Sequence, residues 1–357
     1  MNPGLEQLHD YPFERLRSLK NSLEMTNCSS IIDLSLGEPK TGLPKVVQNA
    51  LTKAADQISF YPSTKGTQEL RESISNWICR RFKISNDLIS PTENILPVTG
   101  TREALFSICQ AIFDKNSNQK YVAIPNPFYQ IYEGAAILAG AEPYYMPCPA
   151  ENNFMPNFGL IKRSVWEKIS LLYICSPNNP SGSVLKADDY DFLVQKADIY
   201  DFVLVVDECY SEIYQDKLNP PLGLLEWCKD SGRKNFDKCL TVNSLSKRSG
   251  VPGLRSGFVA GDKKILKKYF KYRTYQGGAM SLQVQAASIA AWDDEEHVFV
   301  NQTYYRQNMA LIGEIFESQK IAIPEAGFFL WLKLPIDDIN ATKRLLLEGN
   351  LLVLPGQ

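Results

Sequence analysis

Histidine is nearly missing from this chain, with two residues in 357, His9 and His297. Zinc centres and Ser-His-Asp triads draw on imidazole, so this scarcity argues against both. The eight cysteines (28, 79, 109, 148, 175, 209, 228 and 239) contain no CxxC pair. That removes the usual zinc-ribbon and dithiol motifs, and reduced cysteines of a cytoplasmic protein are expected. Net charge is only −2, which gives no electrostatic case for nucleic acid or an anionic membrane as partner. No uninterrupted apolar run approaches the ~20 residues of a membrane span. The opening MNPGLEQLHDYPFERLR is polar and charged throughout, unlike a secretory signal. The one basic run, KKILKKYFKYR (263–273), puts Ile265, Leu266, Tyr269 and Phe270 on one side at helical spacing, which predicts an amphipathic surface helix.

What is present is an alternation of short apolar runs and helical patterns. ENILPV (93–98), KYVAI (120–124), SLLYIC (170–175), FVLVVD (202–207), KCLTVN (238–243) and SGFVAG (256–261) have strand length and composition. TREALFSICQAIF (101–113) and FYQIYEGAAILAG (128–140) repeat apolar residues every three to four positions, as helices do. This predicts an α/β fold with a mostly parallel sheet between helical layers. Beyond about Lys263 the texture changes to long helices (263–273 and 281–317). A shorter α/β pattern follows: a strand GFFLWLKL, a helix DINATKRLLLEGN capped by Gly349, and a strand LLVL. The division expected is an N-terminal arm packing with the small domain (1–36), a large domain (37–265) and a small domain (266–357).

Ligands of open α/β sheets sit beyond the carboxyl ends of the strands, and unusual residues stand there. Gly100 and Arg102 open a helix directly after a strand, where free N–H groups and the helix dipole favour an anion. An ordinary strand-to-helix turn explains the same residues. SPNNPSG (176–182) is a rigid turn that aims Asn178 or Asn179 into the crevice, or is simply a turn. Asp207 follows five apolar residues, where a carboxylate needs a positive partner or serves as a cap for ECYSEIY. Ser244-x-x-Lys247 matches the SxxK signature of serine acyltransferases. However, KTG (40–42) and SPN (176–178) come in reversed order, and Ser244 is expected to lead into a glycine-rich loop rather than a helix.

Pyridoxal phosphate chemistry uses all of these residues together. Lys247 would condense with the cofactor aldehyde, and Asp207 would keep the pyridine nitrogen protonated. Ser244, Ser246, Arg255 and the Gly100–Arg102 helix start would hold the phosphate. Tyr129 would lie on the ring face, and Tyr210 and Asn179 would bond the ring oxygen.

These segments resemble the fold-type I, class I/II aminotransferases over the whole chain. The resemblance rests on LSLGEP (34–39), YPSTKGTQELR (61–71), TGTREAL (99–105), NPFYQIY (126–132), SPNNPSG (176–182), VVDECYSEIY (205–214) and SLSKRSGVPGLRSGFVAGD (244–262). MNPGLEQLHDYPFERLR, FYQIYEGAAILAGAEPYYM and YRTYQGGAMSLQVQAASIAAWDDEEHV further resemble the succinyldiaminopimelate branch of that family. The resemblance implies glutamate as amino donor and N-succinyl-2-amino-6-oxopimelate as acceptor. Another aminotransferase, a carbon–sulfur lyase or a non-catalytic pyridoxal-phosphate-binding protein is the alternative. It further implies that Lys247 moves the proton at the substrate Cα, that Thr101 joins the phosphate site, and that Gly37 lies against the substrate carboxylate. Tyr61 would reach the phosphate of the neighbouring subunit in a homodimer with shared sites. One departure is expected. The family's carboxylate-gripping arginine follows a VLPG-like turn, whereas this sequence ends at LLVLPGQ, Gln357, and Arg344 does not match that motif. The small domain is therefore expected to be incomplete.

Overall fold

The computed structural model describes residues 1–23, 30–319 and 321–356; Cys28 and Gln357 lie outside them. The described residues form nine strands: β1 Ile32–Asp33, β2 Ile95–Val98, β3 Tyr121–Asn126, β4 Glu142–Pro147, β5 Ile169–Cys175, β6 Val203–Asp207, β7 Cys239–Ser244, β8 Gly257–Gly261 and β9 Leu351–Leu352. Seven make one sheet in the order β2-β8-β7-β6-β5-β3-β4. Within it β7-β6-β5-β3-β4 run parallel and β8 runs against both of its neighbours.

The apolar runs become strands because both faces of the sheet are covered. Along β5, Leu171 and Tyr173 join one apolar cluster while Leu172 and Ile174 join the other. That is the two-residue alternation of a strand with a core on each side. The helices Thr101–Ile112 and Ile131–Ala139 cover the Tyr173 face. The helices Gln68–Phe82, Ala187–Tyr200 and Leu282–Asp293 cover the Leu172 face. Trp77 sits deep in the latter, with Phe82, Phe258 and Trp292 packed around it.

Several expectations are corrected. Strand β4 was not anticipated, because Pro143 and Pro147 break its pattern; it is the sheet's edge, where a missing N–H costs no ladder bond. The helix predicted over 281–317 is two helices, Leu282–Asp293 and Glu296–Ile315. Asp294 stands between them and its carboxylate accepts the His297 backbone N–H, starting the second. The helix Asp338–Gly349 ends at Asn350 in the left-handed conformation (φ 54°), so Asn350 and not Gly349 is the terminating residue. Residues 327–334, GFFLWLKL, form no ladder, although Ala326 bridges Tyr214. The basic run lies in the helix Lys263–Gln276, with Leu266 and Tyr269 buried. Near the chain's start, β1 pairs in parallel with β9, and Leu16 packs with Leu346 and Leu352. No helix among the described residues is long and apolar enough to cross a membrane.

Leu172→Ala should destabilise the fold by about 2–5 kcal/mol, because the vacated space is walled by a rigid sheet. Leu218→Ala, at a side chain 88% exposed, should change it by less than about 0.5 kcal/mol. Urea unfolding of both variants measures the contrast.

Candidate active site

The carboxyl ends of β5, β6 and β7 open on the same side of the sheet as the start of the helix Thr101–Ile112. Asp207 ends β6 and is only 5% exposed. One carboxylate oxygen accepts the Tyr132 hydroxyl at 2.9 Å and the other accepts the Cys209 backbone N–H at 3.1 Å. The second bond is the turn-capping role, but ECYSEIY forms turns and no helix. No lysine or arginine pairs with Asp207 among the described residues, and burial pushes its carboxyl pKa up. Such a carboxylate calls for a cation that no described residue supplies.

Lys247 lies in a one-turn helix, Leu245–Arg248, that directly continues β7. Ser244 caps this turn, its hydroxyl accepting the Ser246 backbone N–H at 3.3 Å. The expectation of a glycine-rich loop straight after Ser244 is thus corrected: the helical turn comes first and the glycines follow. The Lys247 amine donates to the Gly37 carbonyl. Its nitrogen is 5.4 Å from the Phe328 ring centre and 5.9 Å from that of Tyr210. Burial is the largest influence on the amine and holds its pKa down to about 8. The amine is therefore partly neutral at physiological pH, as a nucleophile for an aldehyde needs to be.

Gly100 and Arg255 shape a third region. Both adopt positive φ, 90° and 53°. A Cβ on Gly100 would stand 2.1 Å from an Arg255 guanidinium nitrogen. Only glycine lets this arginine lie across the helix start. Thr101 begins that helix, and its hydroxyl accepts the Cys209 thiol at 3.1 Å. Guanidinium, hydroxyls and a helix N-terminus converge here, which is the donor set of a phosphate site.

The remaining expected residues are distributed as follows. Asn178 is consumed by the turn, its side-chain oxygen accepting the Ser181 N–H and hydroxyl at 3.3 and 3.0 Å. Asn179 is left half-buried beyond β5 with no bond to its side-chain amide. Tyr210 is buried edge-on against Phe328 and Phe329. Arg102 donates to the Tyr129 hydroxyl at 2.5 Å and to the Tyr11 hydroxyl at 3.1 Å. It thus anchors the tyrosine that stands edge-on to Tyr132. Gly37 faces Phe329, whose ring a Cβ would approach to 2.8 Å. Tyr61 is fully exposed, at 103%, and meets no residue of this site within its own chain.

Sequence reasoning missed Tyr132, Cys209, Tyr11, Phe328 and Phe329. Tyr132 had a signal, since it follows Tyr129 by one helical step in FYQIY. The two phenylalanines had been assigned to a strand instead. For the SxxK alternative, the Lys247 amine donates to Gly37 and not to Ser244. Pyridoxal phosphate fits the donor set. A neutral-tending amine, a buried carboxylate without a counter-cation and a phosphate cradle match its aldehyde, ring nitrogen and phosphate, respectively.

Comparison with known proteins agrees. The family model "Aminotransferase class I and II" matches residues 29–357. The crystal structure of an aminotransferase from Neisseria meningitidis superposes with a TM-score of 0.93 at 44% identity, covering 99% of this chain and 90% of that one. That of aminotransferase AspB from Helicobacter pylori superposes with a TM-score of 0.91 at 37% identity, covering 98% and 89%. LL-diaminopimelate aminotransferase 2 from Nostoc sp. is 30% identical over 359 residues, covering 99% of this chain and 89% of that protein. The chain belongs to the class I and II aminotransferases, enzymes that depend on pyridoxal phosphate.

Proposed function

We propose that this aminotransferase takes an amino group from glutamate and passes it to a 2-oxo acid with a diaminopimelate skeleton, N-succinyl-2-amino-6-oxopimelate. The observation that carries the transamination is the Lys247 amine, lowered to about 8 by burial and set among the same strand ends as the unpaired Asp207 carboxylate. Support for the skeleton comes from relatives named LL-diaminopimelate aminotransferase. Those names favour a second reading, in which the unsuccinylated LL-diaminopimelate is the amino compound.

When bound, pyridoxal phosphate supplies an aldehyde that carries the amino group and a ring that accepts the electrons of the broken Cα–H bond. The chain's residues do the rest. Lys247 would hold the cofactor by its aldehyde carbon, and its Nζ, once displaced by the substrate amine, would take and return the proton at the substrate Cα. Asp207 would hold the proton on the ring nitrogen, with Tyr132 keeping the carboxylate oriented. Asn179 and Tyr210 bond the ring oxygen, and Tyr129 covers a ring face. Gly100, Thr101, Arg102, Ser244, Ser246 and Arg255 hold the phosphate, Arg102 from its place between two phenols. Gly37 lies against the substrate carboxylate.

The exposure of Tyr61 suits a homodimer in which each Tyr61 reaches the other subunit's phosphate. We assign residues 37–265 to the cofactor-binding domain, and 1–36 with 266–357 to the arm and small domain. The seven described cysteines are all free, which supports a cytoplasmic setting.

Glutamate added to the pyridoxal phosphate-loaded protein should release 2-oxoglutarate and shift the cofactor's visible absorption. Lys247→Ala should abolish both. A visible band that survives the substitution removes Lys247 from this role. With glutamate as donor, N-succinyl-2-amino-6-oxopimelate should outrun other 2-oxo acids in kcat/KM. Running the reaction backwards with LL-diaminopimelate and its N-succinyl derivative separates the two readings.

The pH dependence has a definite sign. A lysine lowered to about 8 is protonated and unreactive below that value and neutral above it. The rate at which cofactor-free protein takes up pyridoxal phosphate should rise through pH about 8 and level off beyond. A rate still climbing tenfold per unit above pH 9 contradicts the lowered amine.

A further inference from the structure

The helix Glu296–Ile315 reaches the site from outside the sheet, and one of its residues contacts the lysine segment directly. Asn301 is 2% exposed. Its side-chain nitrogen donates to the backbone carbonyls of Lys247 at 2.9 Å and Arg248 at 3.2 Å. These carbonyls end a four-residue helix and have no partner within it. The Asn301 side-chain oxygen accepts the Thr41 hydroxyl at 3.0 Å. Thr41 belongs to the segment 37–41, whose Gly37 carbonyl receives the Lys247 amine.

The same helical face makes a second attachment one turn later. The Tyr305 hydroxyl faces the Lys40 backbone N–H, which opposes the rise that burial gives its pKa. Its ring stacks on Phe328 at 4.9 Å, the ring that stands 5.4 Å from the Lys247 nitrogen. Close approach of the strap is built in at Gly250, where φ is +66° and a Cβ would lie 2.8 Å from the Thr41 hydroxyl. One buried amide therefore holds the lysine by its backbone and also holds the strap that receives its amine.

We infer that Asn301 is a positioning residue for Lys247, fixing the lysine backbone and the 37–41 strap relative to each other. This rests on the role proposed for Lys247. Without the amide, the lysine backbone and the strap lose the side chain that joins them, and water would reach the amine. Facing that amine are Glu38 on the strap, Cys209 in the turn after β6, and Arg102 and Arg255 at the phosphate side. Burial outweighs all of them, so admitting water raises the amine's midpoint even as the Gly37 carbonyl is lost.

The test measures the rate at which full-length cofactor-free protein gains visible absorption with pyridoxal phosphate, as a function of pH. Asn301→Leu keeps the volume and removes every bond, and Thr41→Val releases only the strap. Asn301→Leu should raise the midpoint by about one unit, which is about tenfold slower uptake below it. Thr41→Val should move it the same way by less, and the double variant should go no further than Asn301→Leu. Melting without cofactor is recorded alongside. A folded Asn301→Leu protein with an unchanged midpoint overturns the inference, even if its melting temperature falls. Should Asn301→Leu fail to fold, an unchanged midpoint in Thr41→Val overturns it as well. A wild-type protein that gains no absorption refutes the Lys247 reading itself, a separate result.

Discussion

The site depends on one electrostatic debt, the carboxylate of Asp207 at the end of a buried strand. Burying an unpaired carboxylate is expensive, and the group answers by holding a proton more tightly. Here the cost is only partly met, by one phenol and one backbone N–H. Neither brings a full positive charge. In the proposed role the deficit is useful, because a ligand that carries a proton on a ring nitrogen would settle it. The Tyr132 hydroxyl and the Cys209 N–H fix which lone pairs remain, so the direction of approach is set before any ligand arrives.

Lys247 presents the opposite problem. An amine there must be neutral to bond an aldehyde, yet it must be able to take up a proton afterwards. Burial against Tyr210 and Phe328 supplies the first condition, and the nearby Glu38 and Cys209 limit how far the shift goes. The two guanidiniums of Arg102 and Arg255 push the same way as burial. In the proposed role, an anion held by these two arginines would weaken their effect on the amine, so cofactor binding would itself retune Lys247.

Much of this was legible in the sequence. The apolar runs that end in Cys175, Asp207 and Asn243 announced buried parallel strands, and the residues at and just beyond their ends announced a site. What escaped had physical causes. Strand β4 was hidden because its prolines are tolerated only at an edge, and edges are not visible locally. The single helix expected over 281–317 hid the Asp294 cap, because both halves share one apolar periodicity. Tyr132, Phe328 and Asn301 act across more than fifty residues of chain, where periodicity carries no information. Arg102 was read by its charge alone, and only the fold brings Tyr11 and Tyr129 to its two sides.

The phosphate end shows why two backbone positions matter as much as the charges they serve. Arg255 sits at φ 53°, an unfavourable place for a residue with a Cβ. That conformation turns its side chain back over Gly100, where any Cβ would collide with the guanidinium. Strain at one position is therefore matched by glycine at the other, and the two only make sense as a pair. The result is a fixed cation above a helix N-terminus. Preorganisation of this kind lets an anion bind without ordering a flexible arginine at the moment of binding. The same economy governs the lysine segment. Ser244 caps the turn that carries Lys247, its hydroxyl accepting the Ser246 backbone N–H. In this way β7 delivers the Lys247 amine on a single helical turn directly beyond its end.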